Sequence, residues 1–355
     1  MRIGGWRGLI LFWGFSAFAV TAGAGVLQWA GPVSSARPAA KAAVALPPHT
    51  SSEHPGVTPE LATVASEKPG RTVPGPIADV DPALLEPGRT VADNLLPRIA
   101  TDGRISGRVY AGAFTPTRGR PRIAIILVGF GLSTEADQDA IASLPPGITL
   151  AISPYAPGHP ASLQAARTAG HELLLSIPME PQGFPLNDPG AHALLSTASP
   201  DENHANLLWV LGRSMGYAGT IGALGPRLFG ERFSQLGEPM NRMLAELASR
   251  GLFYVDARVA PGGEAPPLPA AWSRATDRII DDPPGRAGID ASLTELEHVA
   301  TDRGVAVGLV GVMTPVVLDR LKAWSRGLGE RGIELAPASA VMQAPPDAKL
   351  ATAHE

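Results

Sequence analysis

Six consecutive apolar residues, Ile123-Ala124-Ile125-Ile126-Leu127-Val128, stand between Pro121 and Gly129. A strand with one face in water alternates apolar and polar side chains. A run apolar at both parities fits a strand buried on both faces, as in a parallel sheet covered by helices. Comparable runs follow at Ile148–Ile152, Leu173–Ile177, Leu252–Val255, Ile279–Ile280, Val305–Val310 and Ile333–Ala336, with a weaker one at Gly219–Leu224. Helix signals separate them. Ser133 caps a helix ending near Leu144, before Pro145-Pro146, and Pro160–Ala169 is stopped by Gly170. Ser199-Pro200-Asp201-Glu202 places a cap, a proline and two acids at the positive end of a helix running to about Met215. Further helices are expected over Pro239–Arg250, Ile289–Arg303 and from Thr314-Pro315 to about Leu328. Seven or eight strand–helix units predict an α/β fold, a distorted parallel (β/α)7-8 barrel with any ligand site at the C-terminal ends of the strands.

This domain is assigned to residues 119–340, and the segments around it read differently. Arg2 and Arg7 precede an uncharged stretch from Gly8 to Ala30. It is just long enough to span a bilayer, which takes about 20 apolar residues. It also fits a signal peptide cleaved near Ala22-Gly23-Ala24. Residues 1–30 are therefore a signal anchor or a signal peptide. Either way the main domain is expected in the periplasm, anchored to the inner membrane or secreted. Residues 31–118, rich in Pro and Ala, are expected to be a disordered tether, with a short docking helix at Leu84-Leu85 and Val91–Ile99. Residues 341–355 are expected to be a flexible tail. The absence of cysteine removes disulfides and thiolate metal sites, and a net charge of −4 argues against nucleic acid as partner.

The segments that follow the strands resemble a known family. They are Arg122–Gly131, Leu150–Pro157, Gly170-His171-Glu172 running into Pro178-Met179-Glu180-Pro181, Gly251–Arg258 with Asp256, and Ile279-Ile280-Asp281-Asp282. In this order they are similar to the divergent polysaccharide deacetylases. The resemblance implies a barrel in which an Asp pair after the first strand supplies a base and a metal ligand, and histidines complete the site. A divalent metal would polarise an acetyl carbonyl and activate water. The positions matching those groups are Val128 and Gly129 for the Asp pair, Ala223 for one histidine and Gly311 for another. None of these side chains binds a metal or carries a proton, so metal-dependent hydrolysis is not expected and no cofactor is implied.

Polar groups remain near the expected mouth: Glu180, Asp256, Arg258, Asp281, Asp282 and Arg227. They are candidates for binding sugar hydroxyls, with Glu180 leaning to a pocket role. Asp256 and Asp281 are equally compatible with buried structural anchors. His171 precedes its strand and belongs to the opposite end, and His298 belongs on an outer helix. His159 and His192, with Glu180 or Asp256, form an alternative zinc site, although their spacing carries no motif. Three functions follow: a silent deacetylase-like domain that binds peptidoglycan or another envelope polysaccharide, an active carbohydrate deacetylase with relocated groups, or an envelope scaffold for a protein partner.

Overall fold

The structure, a computed structural model, describes residues 75–88, 95–157, 160–259 and 268–345. The expected targeting helix, the first part of the tether and the end of the tail lie outside these residues.

The core is a ring of parallel strands: β3 (Arg122–Phe130), β4 (Thr149–Ile152), β5 (Leu173–Ser176), β6 (Gly219–Ile221), β7 (Phe253–Val259), β8 (Ser273–Thr276), β9 (Arg278–Ile279) and β10 (Val305–Val310). Their order is β8-β7-β6-β5-β4-β3-β10-β9. Only Asp277 separates β8, paired with β7, from β9, paired with β10, so one bent run nearly closes the barrel. The absence of an apolar run in Ser273-Arg274-Ala275-Thr276 hides β8 from a reading of hydrophobic pattern. A two-residue strand, β11 (Glu334–Leu335), pairs with the start of β3.

Alternation along β3 explains why both parities are apolar. Ile123, Ile125 and Leu127 pack outward with Ala140, Ala166, Leu244 and Leu321 of the surrounding helices. Ala124, Ile126 and Val128 point inward, where they meet Ala151, Leu174, Ile221, Val255, Val307 and Leu309. The barrel is thus filled, as small parallel barrels are. After a single turn, α1 (Ser106–Val109), come the outer helices α2 (Thr134–Ser143), α3 (Pro160–Ala169), α4 (Pro200–Leu211), α5 (Gly237–Ser249), α6 (Arg286–Arg303) and α7 (Pro315–Arg326). Ser133 caps α2 as expected. At α4, Ser199 and Glu202 form a reciprocal capping box. That helix ends at Leu211, short of the expected Met215.

Two expectations at the domain's edges need correction. From residue 75 the presumed tether is packed: Ile77, Leu84, Ala100 and Tyr110 are buried against the barrel interior's apolar cluster. The expected docking helix is instead, where described, an antiparallel pair of β1 (Leu85–Pro87) with β2 (Leu95–Pro97). Its prolines suit edge strands, and burial rather than composition orders it. At the other end Val341 is buried and Gln343 pairs with Ser273, so the domain continues past residue 340.

Both terminal segments gather at the N-terminal end of the barrel and are tied there by Glu172. Its Oε2 accepts from the Gly112 N–H (2.9 Å), and its Oε1 accepts from the Ser339 N–H (3.0 Å) and the Thr149 hydroxyl (3.4 Å). The Thr149 oxygen in turn accepts from the Ala338 N–H at 3.0 Å. The neighbouring His171 places Nδ1 2.8 Å from the Ile148 carbonyl and is buried, which pushes its pKa down. The His-Glu pair of the sequence is therefore a structural clamp. Burial is the largest influence on Glu172 and raises its carboxyl above the ordinary value of 4.5; its hydrogen bonds pull the other way. A folded-state pKa above the unfolded one gives stability that is present below about pH 4.5 and is lost as pH rises through the folded value. Glu172→Ala, which strands two backbone N–H groups, is expected to cost about 3 kcal/mol in urea unfolding. The advantage of Glu over Gln at this position should shrink as pH rises from that value.

Candidate functional site

The opposite, C-terminal end of the barrel carries a cavity of about 560 Å³ between the tips of β6, β9 and β10. Its walls include Pro226, Arg227 and Phe229 after β6, Asp281 and Asp282 after β9, Gly311 and Val312 after β10, and Thr314, Val316 and Val317 at the start of α7. Four residues singled out from the sequence, Arg227, Asp281, Asp282 and Gly311, therefore meet in one place. Phe229, Pro226 and Thr314 were missed. Thr314 is the helix start that the sequence marks: its hydroxyl accepts from the Val317 N–H at 3.3 Å.

The polar groups of this cavity divide into used and free. Asp281 receives the Gly311 N–H at Oδ1 (2.9 Å) and Oδ2 (3.1 Å), and the Val312 N–H at Oδ2 (2.9 Å). It holds the tip of β10, as the anchor reading expected. Asp282 and Arg227 are exposed, and neither has a hydrogen-bonding or ionic partner among the described residues. Arg227 also has a strained backbone. The Leu228 N–H bonds the Gly225 carbonyl at 3.1 Å, so Gly225-Pro226-Arg227-Leu228 is a tight turn. Proline at its second position and φ of +60° at Arg227 are the pattern of a type II turn. That turn favours glycine at its third position, and a non-glycine residue there costs on the order of 1 kcal/mol.

Glu180 and Asp256 with Arg258 are not among the residues lining this cavity. Glu180 is only 1% exposed. Its Oε2 accepts from the Ser196 N–H and its Oε1 pairs with Arg232 at 3.0 Å. Its backbone carbonyl accepts from Arg232 and Phe233. It stitches the loop after β5 to the loop after β6, so the pocket role expected of it gives way to an anchoring one. Asp256 and Arg258 are neighbours of one parity on β7 and form a forked ion pair, which raises the pKa of Arg258. Tyr254, two residues before Asp256, belongs to the outer apolar layer, and the register of β7 shifts between Asp256 and Val259. His298 is exposed on α6.

The zinc alternative finds no cluster. His159 lies outside the described residues. His192 stacks on Trp209 of α4 with ring centroids 3.6 Å apart, and its Nδ1 lies 3.3 Å from Asn206 Oδ1. Arg213 also lies against that indole, 4.9 Å from the ring centroid. Among the described residues no three His, Asp or Glu side chains converge in a way that suits a metal ion.

The positions matched to metal ligands are apolar in space as well as in sequence. Val128 and Ala223 belong to the barrel's inner apolar cluster, 1% and 0% exposed. Gly129 sits at a register shift between β3 and β4 with φ of +87°. A Cβ on Gly311 would touch Pro226 and Asp281 Oδ2 at 3.5 Å. Hydrocarbon and glycine supply no donor for a cation, so the residues present do not fit the metal that the resemblance implies.

Comparison with known proteins identifies the scaffold. Residues 125–342 match the sequence profile of the divergent polysaccharide deacetylases, more than half of the chain. The chain belongs to the divergent polysaccharide deacetylase family. The crystal structure of an uncharacterized protein from Agrobacterium tumefaciens C58 is 31% identical, with a TM-score of 0.60, covering 70% of this chain and 99% of that one. An uncharacterized protein of Haemophilus influenzae is 26% identical over 218 residues, 59% of this chain and 72% of its own. The family match begins inside β3 and ends in the segment that closes the N-terminal end of the barrel. It therefore covers the mouth, Glu172 and its partners Thr149 and Ser339, but not Gly112.

Restoring a deacetylase-like Asp pair here is expected to damage the fold. Gly129→Ala isolates the backbone cost, about 1 kcal/mol, because the nearest atom to its new Cβ would be a side-chain carbon at 3.7 Å. Val128→Asp buries an unpaired carboxyl among aliphatic groups and should cost about 3 kcal/mol or more. Urea midpoints of both variants check the pair.

Proposed function

We propose that this family member recognises an envelope glycan at the barrel mouth and does not hydrolyse it by a metal-dependent route. The observation that carries this reading is the pairing of an aliphatic ligand set, Val128, Gly129, Ala223 and Gly311, with an adjacent cavity that presents unpaired polar groups. Asp282 and Arg227 offer an acceptor and a five-donor fork of opposite charge, which suits hydroxyl and amide groups on a neutral sugar chain. Phe229, Val312, Val316 and Val317 supply apolar wall against which sugar C–H faces rest. A cavity mostly apolar, with a few placed polar groups, is the usual make-up of a small-ligand site. The strained turn at Arg227 supports the same reading, because a costly backbone conformation persists where something other than stability keeps it. Peptidoglycan or another envelope polysaccharide is the ligand class, and the periplasm, reached through residues 1–30, is the proposed location.

A second reading, recognition of an envelope protein, is favoured by one observation. Leu132 after β3, Leu186 after β5, Val259 at the end of β7 and Val312 after β10 are large apolar side chains left exposed beyond the strand ends of this face. Scattered apolar side chains are common on surfaces, so this supports a partner less directly than the cavity supports a ligand.

Calorimetry with soluble peptidoglycan fragments separates the readings. Saturable binding that Asp282→Ala and Arg227→Ala each weaken by about tenfold, and that chelators leave unchanged, is the expected result. Arg227→Gly should raise stability by about 0.5–1 kcal/mol while weakening the same binding, the signature of strain kept for function. Absence of binding to every envelope polysaccharide tried, or acetate release that a chelator abolishes, would defeat the proposal.

A further inference from the structure

Gly311, at the tip of β10, is a glycine that its own surroundings do not require. Two local causes usually demand glycine: a left-handed backbone, or a neighbour so close that a Cβ has no room. Gly129 and Gly131 are of the first kind, with φ of +87° and +90°. Gly308, three residues earlier in β10, is of the second, since a Cβ there would lie 2.7 Å from Ile125 Cδ1. Gly311 is neither. Its φ lies outside the left-handed region, and the atoms nearest an added Cβ, Asp281 Oδ2 and the backbone of Pro226, would stand at 3.5 Å, an ordinary contact. A third cause remains, the close approach of a ligand. Gly311 lines the mouth cavity and is itself buried, so what reaches it is a group inside that cavity.

Such a group meets a carboxylate. Two N–H groups, those of Gly311 and Val312, share the oxygens of Asp281. An ionised carboxylate offers about four acceptor sites, so Asp281 keeps capacity beyond its anchoring bonds. The position that a Cβ of residue 311 would take lies 3.5 Å from Asp281 Oδ2. A ligand oxygen about half an ångström nearer makes a hydrogen bond. The group placed there must be a donor. A hydroxyl qualifies, whereas an oxyanion is repelled by Asp281 and by its exposed neighbour Asp282.

We propose that Gly311 opens a notch in the cavity wall through which a hydroxyl substituent of the bound sugar donates a hydrogen bond to Asp281. The inference rests on the glycan reading of the mouth and adds to it a specific contact. Asp281 then serves two partners, the tip of β10 and the sugar.

The chain has no cysteine, so Gly311→Cys carries a single thiol for the test. In the folded full-length protein that thiol is expected to react with iodoacetamide. Soluble peptidoglycan fragments at about ten times their Kd should slow the reaction about tenfold. Gly311→Ala is expected to leave the urea midpoint unchanged or higher, because the backbone accepts a side chain there. Asp281→Asn keeps an acceptor for the β10 N–H groups and should weaken fragment binding about tenfold in calorimetry. A folded Gly311→Cys whose thiol reacts only after urea unfolds the protein overturns the inference alone. So does a reactive thiol that fragments leave unprotected while the wild-type protein binds them, or a folded Asp281→Asn that binds them unchanged. If Gly311→Cys does not fold, a lowered urea midpoint in Gly311→Ala shows that the fold itself needs the glycine and equally overturns it. Wild-type protein that binds no fragment removes the glycan reading, and the inference falls with it.

Discussion

A carboxylate with no access to water sets the polarity of this molecule. Glu172 stands at the entrance to β5 and draws in the segments around Gly112, Thr149 and Ser339. Removing a charge from water is unfavourable unless its oxygens are satisfied, and here the donors come from both ends of the described domain. The clamp therefore works only when the N-terminal and C-terminal segments have both docked. It ties both segments across the lower end of the barrel. Loops at the upper end are left free to build a cavity, which is the division of labour found in parallel barrels generally.

At the upper end the family's scaffold outlasts its expected chemistry. A metal-dependent deacetylase needs oxygen and nitrogen donors at the strand tips, and here the inner layer closes over with Val128 and Ala223. Gly129 adopts a left-handed backbone that an aspartate would occupy only at a cost. Gly311 lines the cavity, where a Cβ would lie in ordinary contact with Pro226, and Asp281 fastens its backbone. These are four separate local arrangements, each consistent with the residue now present. A site that had merely lost one ligand would retain the others around a gap. The cavity instead sits beside the filled position, and its unpaired groups, Asp282 and Arg227, are of types suited to hydrogen bonding.

Much of the scaffold was readable from the chain. The run Ile123–Val128 announced a doubly buried strand because both of its parities are apolar. The helix Pro160–Ala169 has the bounds its proline and its terminal glycine mark. Segments after strands identified the residues of the mouth cavity, because parallel topology puts every strand tip on one side. What the chain concealed depends on neighbours. Ser273–Thr276 is a strand because β7 pairs with it, not because its residues prefer one. Residues 75–118 look like a linker by composition, yet Leu84 and Tyr110 find a buried surface. Glu180 and Asp256 follow strands as a pocket residue would, but Ser196, Arg232 and Arg258 consume their oxygens. Nothing in one sequence reveals such pairing.

The two ends of the barrel share strands. Arg122 and Gly129 sit near opposite ends of β3, and Val305 and Gly311 at opposite ends of the β10 segment, each of these strands running from the lower end towards the mouth. Asp277 and Asp281 flank β9 in the same way, the first bonded to the Val307 N–H and the second to the tip of β10. Between them Ile126, Leu174, Ile221, Val255 and Val307 belong to one buried apolar cluster that fills the interior. At the mouth Asp281 is held by its contacts to the backbone of the β10 tip, while Asp282 and Arg227 have no partner among the described residues and stay available to a ligand.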